Sequence, residues 1–337
     1  MFPVPRDPSK YGNTERIVGS WLKARKNRDK IILATKVAGP RMTPTIREGE
    51  VRLDRRNILA AVETSLQRLQ TDYIDLYQTH WPDRVTNNFG QLGLVDLQTD
   101  EEKVALEETL AALDHLVASG KVRHIGVSNE TPWGVMRQLA LSDAGGMARL
   151  QSIQNPYSLL NRSFEVGLSE IALREAKVST GGANPTVLEG DTLAELARKD
   201  QVAERVIERL SAFMDAEDVG LLAYSPLGMG ALSGKYLNGA WPEGARMTLY
   251  PDFKRYLTPQ GILAAEKYVA LARQHDLIPE QMALAFVLQQ KFVTAAIIGA
   301  TDMGQLKTDI GAAAVTLDDA VLAEIEAIHR DHMLPCP

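Results

Sequence analysis

Two short apolar runs in this chain end on basic side chains. "KIILATKV" (30–37) carries Lys36 beside its last residue, and "DYIDLYQTH" (72–80) closes on His80. Lysine and histidine can both give and take protons. A strand end is a rigid mount for such groups. Polar residues close the other apolar runs as well: Ser128–Asn129, Gln154–Asn155, Tyr224–Ser225 and Thr301. Other chemistries lack their residues. Cys336 is the single cysteine, so it can build neither a disulfide framework nor a thiolate cluster. The histidines show no HExxH spacing, and no metal site is expected.

The elements that must position these groups alternate. The runs at 31–37, 73–79, 122–127, 150–154, 220–225 and 294–298 read as strands buried on both faces. Between and around them lie amphipathic stretches, as in "TERIVGSWLKARK" (14–26), with Ile17, Val18, Trp21 and Leu22 at helical spacing. "RRNILAAVETSLQRLQ" (55–70) likewise carries Ile58, Val62, Leu66 and Leu69 on one stripe. Further helices are expected at 105–120, 131–145, 262–275 and 279–290, and two more after the last strand. Strands alternating with helices imply parallel pairing through βαβ crossovers, which suits either a doubly wound sheet or a (β/α)8 barrel. Polar groups at six successive strand ends favour the barrel, whose site draws on all its strands. An open doubly wound sheet would gather them at one switch point. Residues 176–217 break the rhythm and read as a partly helical insertion within a single domain spanning 1–337.

Bulk properties narrow the partners. The chain has 337 residues and a net charge of -6, which argues against general binding to nucleic acid. No apolar run is long enough to span a membrane, and no secretory leader is legible, so a reducing cytoplasm is the expected setting.

"KVAGP", "DLYQTHWPDR", "IGVSNETPWGVMR", "IQNPYSLLNRSFEVGL", "LLAYSPLGMGALSGKYLNG" and "IIGATDMGQLKTDI", in that order, resemble the aldo-keto reductase family. The resemblance covers about 10–175 and 218–337, and within the family it points to a bacterial NADP(H)-dependent branch. It implies a (β/α)8 TIM barrel that transfers hydride between NADP(H) and an aldehyde or ketone, with a small-molecule carbonyl compound as substrate. It implies that Lys36 belongs to the proton-handling group and that His80 orients the carbonyl oxygen. For the cofactor it implies Ser128, Asn129 and Gln154 on the carboxamide, and Tyr224 stacked on the nicotinamide ring. Ser225, Leu227, Gly230, Gly234 and Lys235 would surround the pyrophosphate. Gly299, Thr301, Gln305 and Asp309 would lie at the adenosine end, and Arg246 would face the 2′-phosphate.

The chain also departs from the family pattern. The resemblance expects a first strand, first helix and second strand ahead of "PVP", together with an aspartate and a proton-donating tyrosine. Here the aspartate is absent and Phe2 stands in the tyrosine's register. Three accounts stay open: a misplaced gene start, a degenerate relative, or an insertion that refills the gap. Tyr11, in "YGNTERIVG", is a rival for the missing acid, and His80 or a water is another. Asp309 replaces a common asparagine and would repel a 2′-phosphate, so NAD(H) stays open beside NADP(H). The alternative to an enzyme is a catalytically impaired relative that binds the dinucleotide as a sensor or interaction subunit.

Overall fold

The computed structural model describes residues 7–40, 46–87, 89–91, 93, 104–175 and 219–336. Phe2 and the segment read as an insertion, 176–217, lie outside the described residues. Six strands form one sheet: β1 (Ala34–Val37), β2 (Ile74–Thr79), β3 (Val122–Ser128), β4 (Leu150–Gln154), β5 (Gly220–Tyr224) and β6 (Val293–Ile297). Each pairs in parallel with the next in chain order. That order decides between the two sequence readings. A doubly wound sheet reverses direction at its switch point, whereas this sheet only advances, as a barrel does. The central strand β2 is buried at every position, while the end strands β1 and β6 keep partly exposed residues.

The expected strands stand within a residue or so of their places, except the first. The apolar run begins at Ile31, but ladder pairing begins at Ala34. Leu33 gives its N–H to the Asp75 carboxylate (2.9 Å) rather than to a strand carbonyl. Asp75 does more at this end of the sheet. It pairs with Arg28 (2.7 Å) and Arg123 (2.8 Å). Both guanidinium groups lie over the ring of Tyr73, at 3.8 and 4.2 Å. One carboxylate and one ring thus clamp the N-terminal ends of β2 and β3 to the chain entering β1.

α1 (Asn13–Arg25) leads into β1, and the crossover helices are α2 (Arg55–Leu69), α3 (Leu106–Ala118), α4 (Pro132–Gly145) and α5 (Leu168–Arg174). After β5 come the short α6 (Arg246–Leu249), then α7 (Pro259–Gln274) and α8 (Pro279–Leu288). After β6 come α9 (Met303–Gly311) and α10 (Asp319–Asp331). The sequence reading had not placed α5 or α6, which are too short for a helical period to stand out. Starts are set by side-chain caps: Asp54 accepts from Asn57 N and Thr131 from Gly134 N. Asp302 accepts from Gln305 N and Asp318 from Val321 N. α2 buries Ile58, Val62, Leu66 and Leu69, the stripe read from sequence. α1 corrects its reading. Ile17 and Trp21 are exposed, and the buried side is Glu15, Gly19 and Leu22. The cause is close helix packing: a Cβ on Gly19 would lie 2.3 Å from the Arg68 carbonyl oxygen of α2. Glu15 then faces inward, where Thr35 (2.8 Å) and Arg68 (3.2 Å) satisfy it. No described helix is long and apolar enough to cross a membrane.

Candidate active site

The inner face of the sheet is polar along one row. Ladder pairing aligns Lys36 with Gln78, Gln78 with Gly126, and Gly126 with Ser152. Gln78 Nε2 donates to Ser152 Oγ across Gly126, at 3.1 Å. Glycine is required between them, because a Cβ there would stand 2.4 Å from Ser152 Oγ. Two residues further along each strand, on the same face, stand His80, Ser128 and Gln154.

Lys36 and His80 converge at the C-terminal end of this face. Lys36 Nζ hydrogen-bonds Gln154 Oε1, joining β1 to β4. In a flat sheet these strands would lie about 14 Å apart, and side chains standing perpendicular to it would not meet. The sheet is therefore curled with this face inside. His80 is held at its backbone, where its N–H donates to the Val37 carbonyl (3.0 Å) and its own carbonyl accepts from Asn129 Nδ2 (2.9 Å). Burial, and then the neighbouring Lys36 charge, pull its imidazole pKa down to about 3. Burial alone pulls the Lys36 amine down to about 8. His80 is thus neutral at physiological pH and Lys36 mostly charged, a pair of N–H donors with one proton close to neutral exchange.

Asn129 ties three strand ends together. Its backbone is left-handed (φ 52°), and its N–H donates to the Gln154 carbonyl (3.1 Å). Its side chain donates to the His80 carbonyl and accepts from the Tyr224 hydroxyl at 2.6 Å. Ser128 Oγ donates to the Gln154 carbonyl at 2.7 Å. Tyr224 is half-buried, with its ring fixed at the hydroxyl and Arg255 at 3.5 Å from that oxygen. Lys36, His80, Ser128, Asn129, Gln154 and Tyr224 are therefore one connected cluster.

The remaining predicted residues sit beyond it. Ser225, Leu227, Gly230, Gly234 and Lys235 follow β5 in tight turns, with positive φ at Ser225, Gly230 and Gly234. Gly299 is open, with nothing near the place of a Cβ. Thr301 donates to Gln305 Oε1 through both its N–H and its hydroxyl, each at 3.1 Å. Asp309 is buried. Burial and Glu280 raise its carboxyl pKa while Lys235 opposes them, so the turn after β5 and helix α9 approach each other there. Arg246 is exposed at the start of α6, with its guanidinium over Phe253 at 5.6 Å. Tyr11 lies in the turn into α1, where its carbonyl accepts from Arg16 (2.8 Å). Trp81 packs under the site, donating to the Pro40 carbonyl at 3.0 Å.

Sequence reasoning missed the brace behind Asn129. Glu130 is buried and takes two hydrogen bonds from Arg84, at 3.0 and 2.6 Å. Asn155 bridges the Glu130 backbone on both sides, donating to its carbonyl (2.9 Å) and accepting from its N–H (3.1 Å). The signal was available: charged residues directly after two buried strands, in "HWPDR" and "VSNE".

A sequentially wound, curled parallel sheet with an amine, an imidazole and amide groups at the C-terminal strand ends follows the plan of a barrel enzyme. Comparison with known proteins makes the class specific. The aldo/keto reductase family model matches residues 9–186 and 192–330, and the chain belongs to that family of oxidoreductases. It is similar to Protein tas of Escherichia coli, 46% identical over all of this chain and 85% of that protein. It is 34% identical to an aldo-keto reductase of Babesia bovis over 91% of this chain and 99% of the relative. It is 26% identical to norsolorinic acid reductase A of Aspergillus parasiticus over 94% of this chain and 64% of the relative.

Proposed function

We propose that this chain reduces a small aldehyde or ketone with hydride from a nicotinamide dinucleotide, NADP(H) or NAD(H). The observation that carries the reading is the contact between Lys36 and Gln154 beside a neutral His80, all at the C-terminal end of the inner face. A carbonyl oxygen between Lys36 and His80 meets two N–H donors as charge grows on it, and fixed donors stabilise that charge without reorganising. Lys36, at about 8, can also give up its proton at neutral pH.

The residues suit a dinucleotide. Tyr224 offers a half-exposed ring locked by Asn129. The turns at Gly230 and Gly234 keep side chains out of the way, so backbone N–H groups can reach phosphates. Ser128, Asn129 and Gln154 would hold the carboxamide, and Leu227 and Lys235 would flank the pyrophosphate. Gly299, Thr301, Gln305, Asp309 and Arg246 would take the adenosine end. When bound, the cofactor supplies the hydride. Asp309, as a buried carboxyl, weakens the case for a 2′-phosphate, and Arg246 strengthens it.

The test is a fluorescence titration with NADPH and NADH, followed by turnover of a panel of aldehydes. Lys36→Met and His80→Gln should each lower kcat/KM by about 10²–10⁴-fold with cofactor affinity little changed. Failure of both cofactors to bind, or turnover by both variants at the parent rate, would discard the reading.

A further inference from the structure

We infer that Arg84, Glu130 and Asn155 are positioning residues of the candidate site: they set the conformation of Asn129 and, through it, the placement of His80 and Tyr224. The inference deepens the carbonyl-reduction reading above and rests on it for the roles of those three residues.

Asn129 is the residue that needs support. Its backbone is left-handed, at φ 52°, a conformation that a residue with a side chain keeps where its surroundings over-determine it. The following residue supplies the constraint. Asn155, just past β4, donates to the Glu130 carbonyl (2.9 Å) and accepts from the Glu130 N–H (3.1 Å), so the peptide units on both sides of Glu130 are tied to a second strand end. The carboxylate is tied as closely. Oε1 accepts from Arg84 Nη1 (3.0 Å) and Gln138 Nε2 (3.2 Å), and Oε2 from Arg84 Nη2 (2.6 Å) and the Thr131 N–H (2.7 Å). Four donors fill the roughly four acceptor sites of a carboxylate, and one orientation satisfies them all. The side chains of Arg84 and Glu130 are 10% and 3% exposed, so little water competes for these bonds.

The ion pair joins the same two segments as Asn129 does. Asn129 Nδ2 donates to the His80 carbonyl at 2.9 Å. Arg84 follows His80 in the turn after β2, and Glu130 follows Asn129 directly. A single link between two segments leaves a hinge, whereas a second link further along fixes their angle. With the pair slack, Asn129 is free to turn, and its amide then lets go of both the His80 carbonyl and the Tyr224 hydroxyl, now 2.6 Å away. A displacement of about 1 Å at reacting groups costs about 10²-fold in rate. The pair also has no room to shift quietly. A Cβ on Gly134 of α4 would lie 2.4 Å from both Arg84 Nη2 and Glu130 Oε1, so Gly134→Ala pushes on the pair without altering any residue of the cluster.

The experiment uses the full chain and two independent variants, Gly134→Ala and Asn155→Ala; if one is unfolded, the other decides. Arg123→Gln, a substitution in the ion pairs at the opposite end of the strands, is the control for lost stability alone. The side-chain amide resonances of Asn129 are recorded by nitrogen-15 NMR without any nicotinamide. Turnover of an aldehyde with NADPH is then followed at a temperature where unfolding curves show every protein folded. Both variants should displace the Asn129 amide resonances and lower kcat by about 10²-fold with KM for the aldehyde little changed, while Arg123→Gln alters none of these. Unmoved Asn129 resonances in the folded variants overturn the inference, and so does an equal fall of kcat in Arg123→Gln. Turnover by the parent with unmoved resonances in the variants leaves the reductase reading standing and removes this one. Displaced resonances in variants of a parent that neither binds a nicotinamide nor turns over aldehydes do the reverse.

Discussion

Acidification should destabilise this protein through His80. Its imidazole stays neutral in the folded state down to about 3, while an imidazole in an unfolded chain titrates near 6.5. Between these values the unfolded chain binds a proton that the folded chain refuses. Stability therefore rises with pH across that window and falls as pH drops through it. Integrating from pH 7 to pH 5 gives a loss of about 2 kcal/mol. Because His80 is only partly buried, solvent screening lowers this, and roughly 1–2 kcal/mol is the expected range. The assay is urea unfolding of the parent and of His80→Gln at pH 7 and pH 5. Carboxylates common to both proteins cancel in the double difference, which leaves the contribution of the imidazole. The parent should lose about 1–2 kcal/mol more than the variant. Nitrogen-15 spectra of the histidine rings should show His80 neutral at pH 5. A double difference near zero, or a ring that protonates near 6.5, would refute the claim that the imidazole sits desolvated beside an amine.

Three further outcomes follow from the geometry. Gly126→Ala drives a methyl against Ser152 and should cost about 1–3 kcal/mol, seen as a lower midpoint in thermal unfolding. Arg84→Met strands the Glu130 carboxylate, whose side chain is 3% exposed, and should cost about 3–5 kcal/mol. Urea unfolding would show it, and a loss below about 1 kcal/mol would mean that the pair is not buried. Asn129→Gly and Asn129→Ala both lose the bonds to His80 and Tyr224, but only alanine also meets the left-handed backbone. Alanine should therefore be the less stable of the two by about 0.5–1 kcal/mol, a difference readable in their chemical denaturation midpoints.

Much of this architecture was legible because parallel strands announce themselves. Within "DYIDLYQTH" the strand Ile74–Thr79 is buried at every position, so its apolar sequence and its place agree. Lys36 and His80 were legible as strand ends, and simple parallel pairing sets Lys36 beside Gln78, two residues before His80 on the same face. Other features depend on contacts between distant segments. The inward face of α1 could not be read from hydropathy, since Gly19 and Glu15 face inward through the approach of Arg68 and Thr35. The brace of Arg84, Glu130 and Asn155 was hidden for the same reason: each residue alone looks like a surface residue, and only the fold brings the three together. The start of β1 was misplaced because a side chain, Asp75, took the N–H that a strand partner would have taken.

The Asp75 clamp lies at the opposite end of the strands from Lys36 and His80. The candidate site and this clamp therefore occupy opposite ends of the strands. The turn after β5 can be varied while the aspartate, its two arginines and the tyrosine ring between them keep the strand starts in place. Variation that spares Asp75 keeps this foundation, whereas a substitution there loosens the strand starts without reaching the candidate site.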